Sequence, residues 1–165
     1  MFVLGHVGVG RALARPWLRN FPVVAFVIGT LLPDLIDKPL YYSHLLGQMP
    51  ATRMYGHTGV LLLALVLTAA LVRSRVLAAL AAGTATHLAL DCLLDIWTTG
   101  PRGAWIAAAW PLLGPFPPVS IPSIAAHLRR ITVGPVILGE ILGGLLIAWE
   151  LWRARTARPA GRPSR

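Results

Sequence analysis

Cysteine is all but missing: Cys92 is the single one in 165 residues. That excludes a disulfide framework and a thiolate zinc site, and one small thiol in an apolar run reads as a helix-packing residue. Negative charge is scarce too, with 6 Asp+Glu against 15 Lys+Arg and 13% charged residues in all. Hydrophobic residues make up 56% and the mean hydropathy is +0.67, too apolar for a soluble domain of this length. Nucleic-acid recognition motifs are absent. The arginines sit at the ends of apolar runs and in the tail, which suits membrane lipids with anionic headgroups as partners, and no nucleic acid. No basic stretch precedes the first apolar residues, so a cleaved signal peptide is not expected. No internal repeat stands out either. Residues 1–152 are expected to form one membrane domain, followed by a basic, disordered tail at 153–165.

The expected fold is an all-α polytopic membrane bundle of about four to five core helices around a polar layer. Residues 2–18 predict a short helix, limited by Pro16 and too polar to span alone. A second segment runs from Phe21 to Asp37, and residues 38–56 predict a polar, aromatic-containing connection. Thr58 to Val72 and residues 76–97 predict a helical hairpin closed by the basic turn Arg73-Ser74-Arg75. The prolines and glycines of 98–122 predict an irregular cover with a short helix near 103–109. A short helix at 123–130 and a last span over 131–152 follow. Gly139 and Gly143 in that span have the spacing that lets membrane helices approach closely.

The 76–97 helix carries the most informative residues. His87, Asp91 and Asp95 lie four apart, on one face. Each unpaired aspartate at the centre of a membrane helix costs about 2.5–3.5 kcal/mol, so a bound cation or buried partners must offset the pair. Imidazole and carboxylate on adjacent turns are also how one helix offers two ligands to a divalent ion.

At 1.5 Å of rise per residue, antiparallel packing brings Asp34, His57, His87 and Asp91, counted from the turns near Arg19 and Arg73, and Glu140, counted back from Arg153, to one height of roughly 18–24 Å, with His6 at the same level if its helix continues past Pro16. Ten arginines lie at the opposite, basic end. The positive-inside tendency makes that end cytoplasmic, which puts the polar layer toward the extracytoplasmic side of a multi-pass inner-membrane protein. Five of the tryptophans suit interfacial belts.

With those residues in view, the chain resembles the YdjM-like family of membrane-bound proteins assigned as metal-dependent hydrolases. The resemblance rests on His6-Val-Gly-Val-Gly10, Gly29-Thr-Leu-Leu-Pro33-Asp34-Leu-Ile-Asp37, Arg53-Met-Tyr-Gly-His57-Thr58, Thr86-His87-Leu-Ala-Leu-Asp91 and Trp110-Pro111-Leu-Leu-Gly114, over about residues 5–120. That family is thought to be related to the helical fold of zinc-dependent phospholipase C and P1 nuclease. The resemblance implies His6, Asp34, His57, His87 and Asp91 as metal ligands. Many members carry a histidine where this chain has Thr52, with His44 or His127 available to compensate.

A mixed nitrogen and oxygen set suits Zn²⁺, with Mn²⁺ or Fe²⁺ as alternatives. Asp37, Asp95 and Glu140 are the candidates for the general base or for a partner that orients a ligand. Arg53 can hold a phosphate or carboxylate through its planar fork, or serve as an interfacial anchor. The leading expectation is a hydrolase acting on a lipid, lipid-linked or small-molecule ester or phosphoester. A non-catalytic protein with a structural metal site or scaffold role is the second reading, and an ion transporter the third.

Overall fold

The computed structural model describes residues 3–44, 49–100, 107–116, 121, 123–129 and 134–156. Those residues are all-α, with no strand: α1 (Val3–Ala14), α2 (Val23–Ser43), α3 (Gly59–Leu71), α4 (Arg75–Thr99), α5 (Ile124–Arg129) and α6 (Pro135–Thr156). Short 3₁₀ turns occupy Leu18–Asn20 and Tyr55–His57. The hairpin of α3 and α4 starts each helix on a hydroxyl: Thr58 accepts from the Leu61 N–H and Ser74 from the Leu77 N–H. Each bond satisfies one of the orphan donors of a first helical turn. Between the helices, Arg73 adopts the left-handed region at φ 50°, which makes the turn tight.

Helix α2 differs most from expectation. Instead of closing near Asp37, it runs on through Pro33 and Pro39 to Ser43, so residues 38–43 are helical rather than part of a connection. Proline in a helix removes the bond to the carbonyl four residues back and crowds that turn. Pro33 leaves the Gly29 carbonyl without its donor and α4 supplies one, Thr84 Oγ1 at 3.3 Å, while His87 Nδ1 lies 2.7 Å from the next carbonyl, that of Thr30. The break in one helix is thus answered by polar groups of its neighbour.

Two other boundaries move. Helix α1 stops at Ala14, before Pro16, and α6 continues to Thr156, so residues 153–156 belong to a helix and not to the tail. Residues 157–165 of the expected tail and 103–106 of the expected short helix lie outside the described residues, while 107–113 form turns.

Two backbone-on-backbone crossings set the assembly. In the first, α2 packs along α4 with Gly29 against the Leu80 backbone and Gly83 against the Phe26 carbonyl; a Cβ on either glycine would overlap main-chain atoms. In the second, α1 runs parallel to α6, with Gly8 against Gly143 and Gly143 against the Leu4 carbonyl. Farther along this pair Arg11 Nη2 meets Glu150 Oε2 at 2.7 Å, and Arg15 and Arg153 both lie over the Trp149 ring. The arginines of α1 and α6 therefore gather at one end, as expected. Near it, Ala14, Ala25, Phe26 and Ala79 form a buried apolar cluster, and the polar layer lies beyond it along α2 and α4.

Helices α4 and α6 are long and apolar enough to cross a membrane. Helices α1 and α3, at about 18–20 Å, fall short of a hydrocarbon core of about 30 Å.

Candidate metal centre

His6, Asp34, His57, His87 and Asp91 come together in the structure, contributed by α1, α2, the turn before α3, and α4. His87 is fully buried. Its Nδ1 faces the Thr30 carbonyl, which can only accept, so Nδ1 carries the proton and the Nε2 lone pair is turned to the cluster. His57 is fixed in the same sense. Its Nδ1 lies 2.7 Å from Asp37 Oδ2, which leaves Nε2 facing inward.

The two Nε2 atoms stand 3.2 Å apart. Neutral rings with both Nδ1 atoms committed as donors would oppose lone pair to lone pair at that distance, so the contact needs either a proton on one Nε2 or a cation shared between the two. Asp91 Oδ2 completes a triangle, 3.5 Å from His57 Nε2 and 3.5 Å from His87 Nε2. Ligand atoms about 2.0–2.1 Å from a tetrahedral ion are spaced about 3.3 Å apart. The triangle thus has the dimensions of one face of such a shell. Asp34 Oδ1 lies 3.5 Å from His57 Nε2, and His6 Nε2 lies 3.4 Å from Asp91 Oδ1 with its ring stacked on His87 at 3.8 Å. Two overlapping groups, His57 with His87 and Asp91, and His6 with Asp34 and His87, have donor atoms close enough to share an ion.

Charge points the same way. With the histidines neutral, as metal ligands must be, Asp34, Asp37, Asp91 and Asp95 outnumber Arg53 and Lys38 among the described residues by two charges, which a divalent cation would neutralise. Burial opposes protonation of His57, yet hydrogen bonds with Asp34, Asp37 and Asp91 outweigh it and carry the ring up to about 10. Without metal, a proton occupies His57 over the whole physiological range. A metal must displace it, so uptake at pH 8 is expected to release about one proton per ion, with apparent affinity rising with pH. Calorimetric titration in buffers of different ionisation enthalpy measures this, and uptake without proton release would remove His57 from the ligand set.

The three carboxylates expected to act in catalysis occupy different places. Asp37 is buried and gathers the loop before α3: the N–H groups of Met54, Gly56 and His57 donate to it at 2.6, 2.8 and 3.2 Å. It orients His57 and its own carboxylate is saturated. Asp37→Asn keeps the shape but replaces one acceptor oxygen by a donor, and is expected to weaken metal binding by about 10- to 100-fold; competition against a chelator of known affinity reads the change. Asp95, one turn beyond Asp91, pairs with Arg53 at 2.7 Å. Glu140 accepts from the Leu4 and Gly5 N–H groups at 3.1 and 2.8 Å, at the start of α1 and in neither candidate ligand group. Lys38 holds Asp34 at 2.5 Å.

A shallow cleft reaches this layer, lined by Arg53, His57, Asp91, Cys92, Asp95 and Ala108 among others. Thr52 is buried next to Arg53 in the chain, and the side chain of His127 lies outside the described residues. Sequence reasoning missed Thr30, whose carbonyl orients His87, and Thr84, which donates to the Gly29 carbonyl, although Pro33 was a signal that this carbonyl would need a donor. No family model, curated protein or solved structure matches this chain.

Proposed function

We infer that the chain is a multi-pass membrane protein that hydrolyses a lipid or lipid-linked ester or phosphoester with a divalent metal, Zn²⁺ being the best fit to the donor set. The observation that carries this reading is the triangle of His57 Nε2, His87 Nε2 and Asp91 Oδ2, with edges of 3.2, 3.5 and 3.5 Å. The order of motifs that resembles the YdjM-like family supports it.

The membrane placement rests on where the apolar side chains go. Val60, Leu63 and Leu67 on α3 and Leu138, Ile141, Leu142 and Leu145 on α6 are exposed. A soluble monomer rarely leaves so much apolar surface in water, whereas lipid tails accept it at no cost. The polar layer, the cleft and the loop before α3 lie away from the arginine-rich end, which supports an extracytoplasmic site.

A divalent ion bound in the cluster would supply Lewis acidity and lower the pKa of water toward about 7. The chain's own groups do the rest. Asp37 and the Thr30 carbonyl keep His57 and His87 in the tautomers that present Nε2. Asp95, at the cleft, is positioned to take a proton from an attacking water, while Glu140 serves the start of α1. Arg53 faces the same space and can hold an anionic group of the substrate. The cleft favours catalysis over a structural role, because a structural site is closed and a catalytic one keeps a position open to solvent.

Screening metal-loaded, detergent-purified protein against phospholipids and chromogenic phosphoesters tests the reading. Turnover that a chelator abolishes and added Zn²⁺ or Mn²⁺ restores is the expected result. A metal-replete protein inert toward every ester class would overturn it.

A further inference from the structure

Arg53 stands in the cleft wall with its guanidinium divided between two carboxylates, Nη2 at 3.2 Å from Asp91 Oδ2 and Nη1 at 2.7 Å from Asp95 Oδ2. The two contacts are unequal in their surroundings. The Asp91 side chain is 7% exposed, that of Asp95 28% and that of Arg53 34%. The inner contact belongs to the buried layer and the outer one borders solvent.

The position of Arg53 is set from behind. Ala51, Thr52 and Met54 are buried around it, and the Met54 N–H is held by Asp37 at 2.6 Å. A guanidinium fork matches the two oxygens of a single carboxylate or phosphate. Here it is spread over two residues, and the outer partner can be exchanged without disturbing the inner one. We propose that Arg53 is the anion-recognition residue of the cleft, and that Asp95 is an internal stand-in which an anionic phosphoryl group of the substrate displaces. This rests on the hydrolase reading above and narrows its substrate to a phosphoester. Displacement also takes the Arg53 contact off the Asp95 carboxylate, which favours its acting as proton acceptor once a substrate is seated.

An apolar shelf on the same loop favours a lipid as the source of that phosphoryl group. Tyr55, 44% exposed, sets its edge against the stacked rings of Trp110 and Phe116, with centroids at 6.2 and 5.7 Å. The Gly59 N–H donates to Ala108, a residue of the cleft, at 2.6 Å. Tyr55, two residues from Arg53 on the same loop, thus offers an apolar surface to the acyl chain of a lipid whose phosphate Arg53 holds.

The test is the affinity of wild type, Asp95→Asn and Arg53→Lys for inorganic phosphate and for phosphatidylglycerol in mixed micelles, with and without divalent metal, with metal content read on the same samples. The metal-free samples separate phosphate held by Arg53 from phosphate held by the ion. Asp95→Asn is expected to bind both probes roughly three- to fivefold more tightly, the scale of a part-exposed ion pair. Arg53→Lys, which keeps the charge and loses the fork, is expected to bind about tenfold more weakly. Tighter binding of the lipid than of inorganic phosphate supports the shelf, and equal binding supports a soluble phosphoester on the same arginine. Affinity unchanged in Asp95→Asn overturns the proposal whether or not metal is held, and that variant, isosteric with the wild type, decides the matter even if Arg53→Lys does not fold. A wild type without metal, by contrast, overturns the hydrolase reading alone.

Discussion

His87→Ala is expected to empty the metal centre. Elemental analysis of the purified protein should find about one or two divalent ions per wild-type chain and close to none in the variant. Little can replace this side chain. His87 is fully buried, with Nδ1 tied to the Thr30 carbonyl and Nε2 in the triangle with His57 and Asp91. If about 10–16 kcal/mol of zinc affinity is shared over four donors, one donor is worth roughly 3 kcal/mol, a hundredfold or more in affinity. Truncation also leaves a cavity, at a cost of about 2–5 kcal/mol for a large buried side chain, so loss of metal could reflect loss of fold. Asp91→Asn separates the two. It has the same shape, removes one ligand charge and leaves Arg53 its bond to Asp95. Metal lost from a folded Asp91→Asn protein locates the site, whereas both variants retaining wild-type metal would place the ion elsewhere.

The sequence revealed the height of this layer but not its plan. Counting 1.5 Å per residue along alternating helices brought His6, Asp34, His57, His87 and Asp91 to one level, and these are the groups that meet. The same count included Glu140, which instead accepts from the N–H groups of Leu4 and Gly5. Rise fixes depth and says nothing of azimuth. Glu140 lies at the right depth on a helix whose neighbour there is the first turn of α1, and the unpaired donors of that turn, with their partial positive charge, claim the carboxylate.

Proline misled in a similar way. Pro33 and the segment after it resemble a helix end, and what carries α2 on to Ser43 is not local. Thr84, more than fifty residues away, satisfies the Gly29 carbonyl that Pro33 leaves, and His87 meets the carbonyl of Thr30 beside it. The hairpin of α3 and α4 was legible because its signals are local: a short basic turn between two long apolar runs without proline. Asp37 was visible only as a carboxylate with several possible roles. Its part in gathering three N–H groups of the loop before α3 depends on a fold-back that periodicity does not encode.

Gly83→Val is expected to abolish both the assembled bundle and its metal. At this crossing α2 and α4 touch backbone to backbone. A Cβ on Gly83 would overlap the Phe26 carbonyl and lie 2.7 Å from the Thr30 nitrogen and 2.8 Å from the Gly29 carbonyl carbon. None of these atoms belongs to a flexible side chain that can swing away, so the helices must separate. Overpacking of ordinary cores costs about 1–3 kcal/mol, and a rigid main-chain contact belongs at or above the top of that range. Membrane helices depend on close approach of this kind, because lipid offers no hydrophobic drive to hold them together. Separation also pulls His87, one turn beyond Gly83, from the Thr30 carbonyl, so the ring that presents Nε2 loses its orientation. Gly144→Ala is the matched control. A Cβ there meets only Leu4 Cδ1, at 3.6 Å, an ordinary contact, and the change is expected to stay within about 0.5 kcal/mol. Monodispersity after heating in detergent, read beside metal content, compares the two. Gly83→Val should fail both measurements at temperatures where Gly144→Ala passes them, and equal behaviour of the two variants would mean that α2 and α4 do not cross at Gly83.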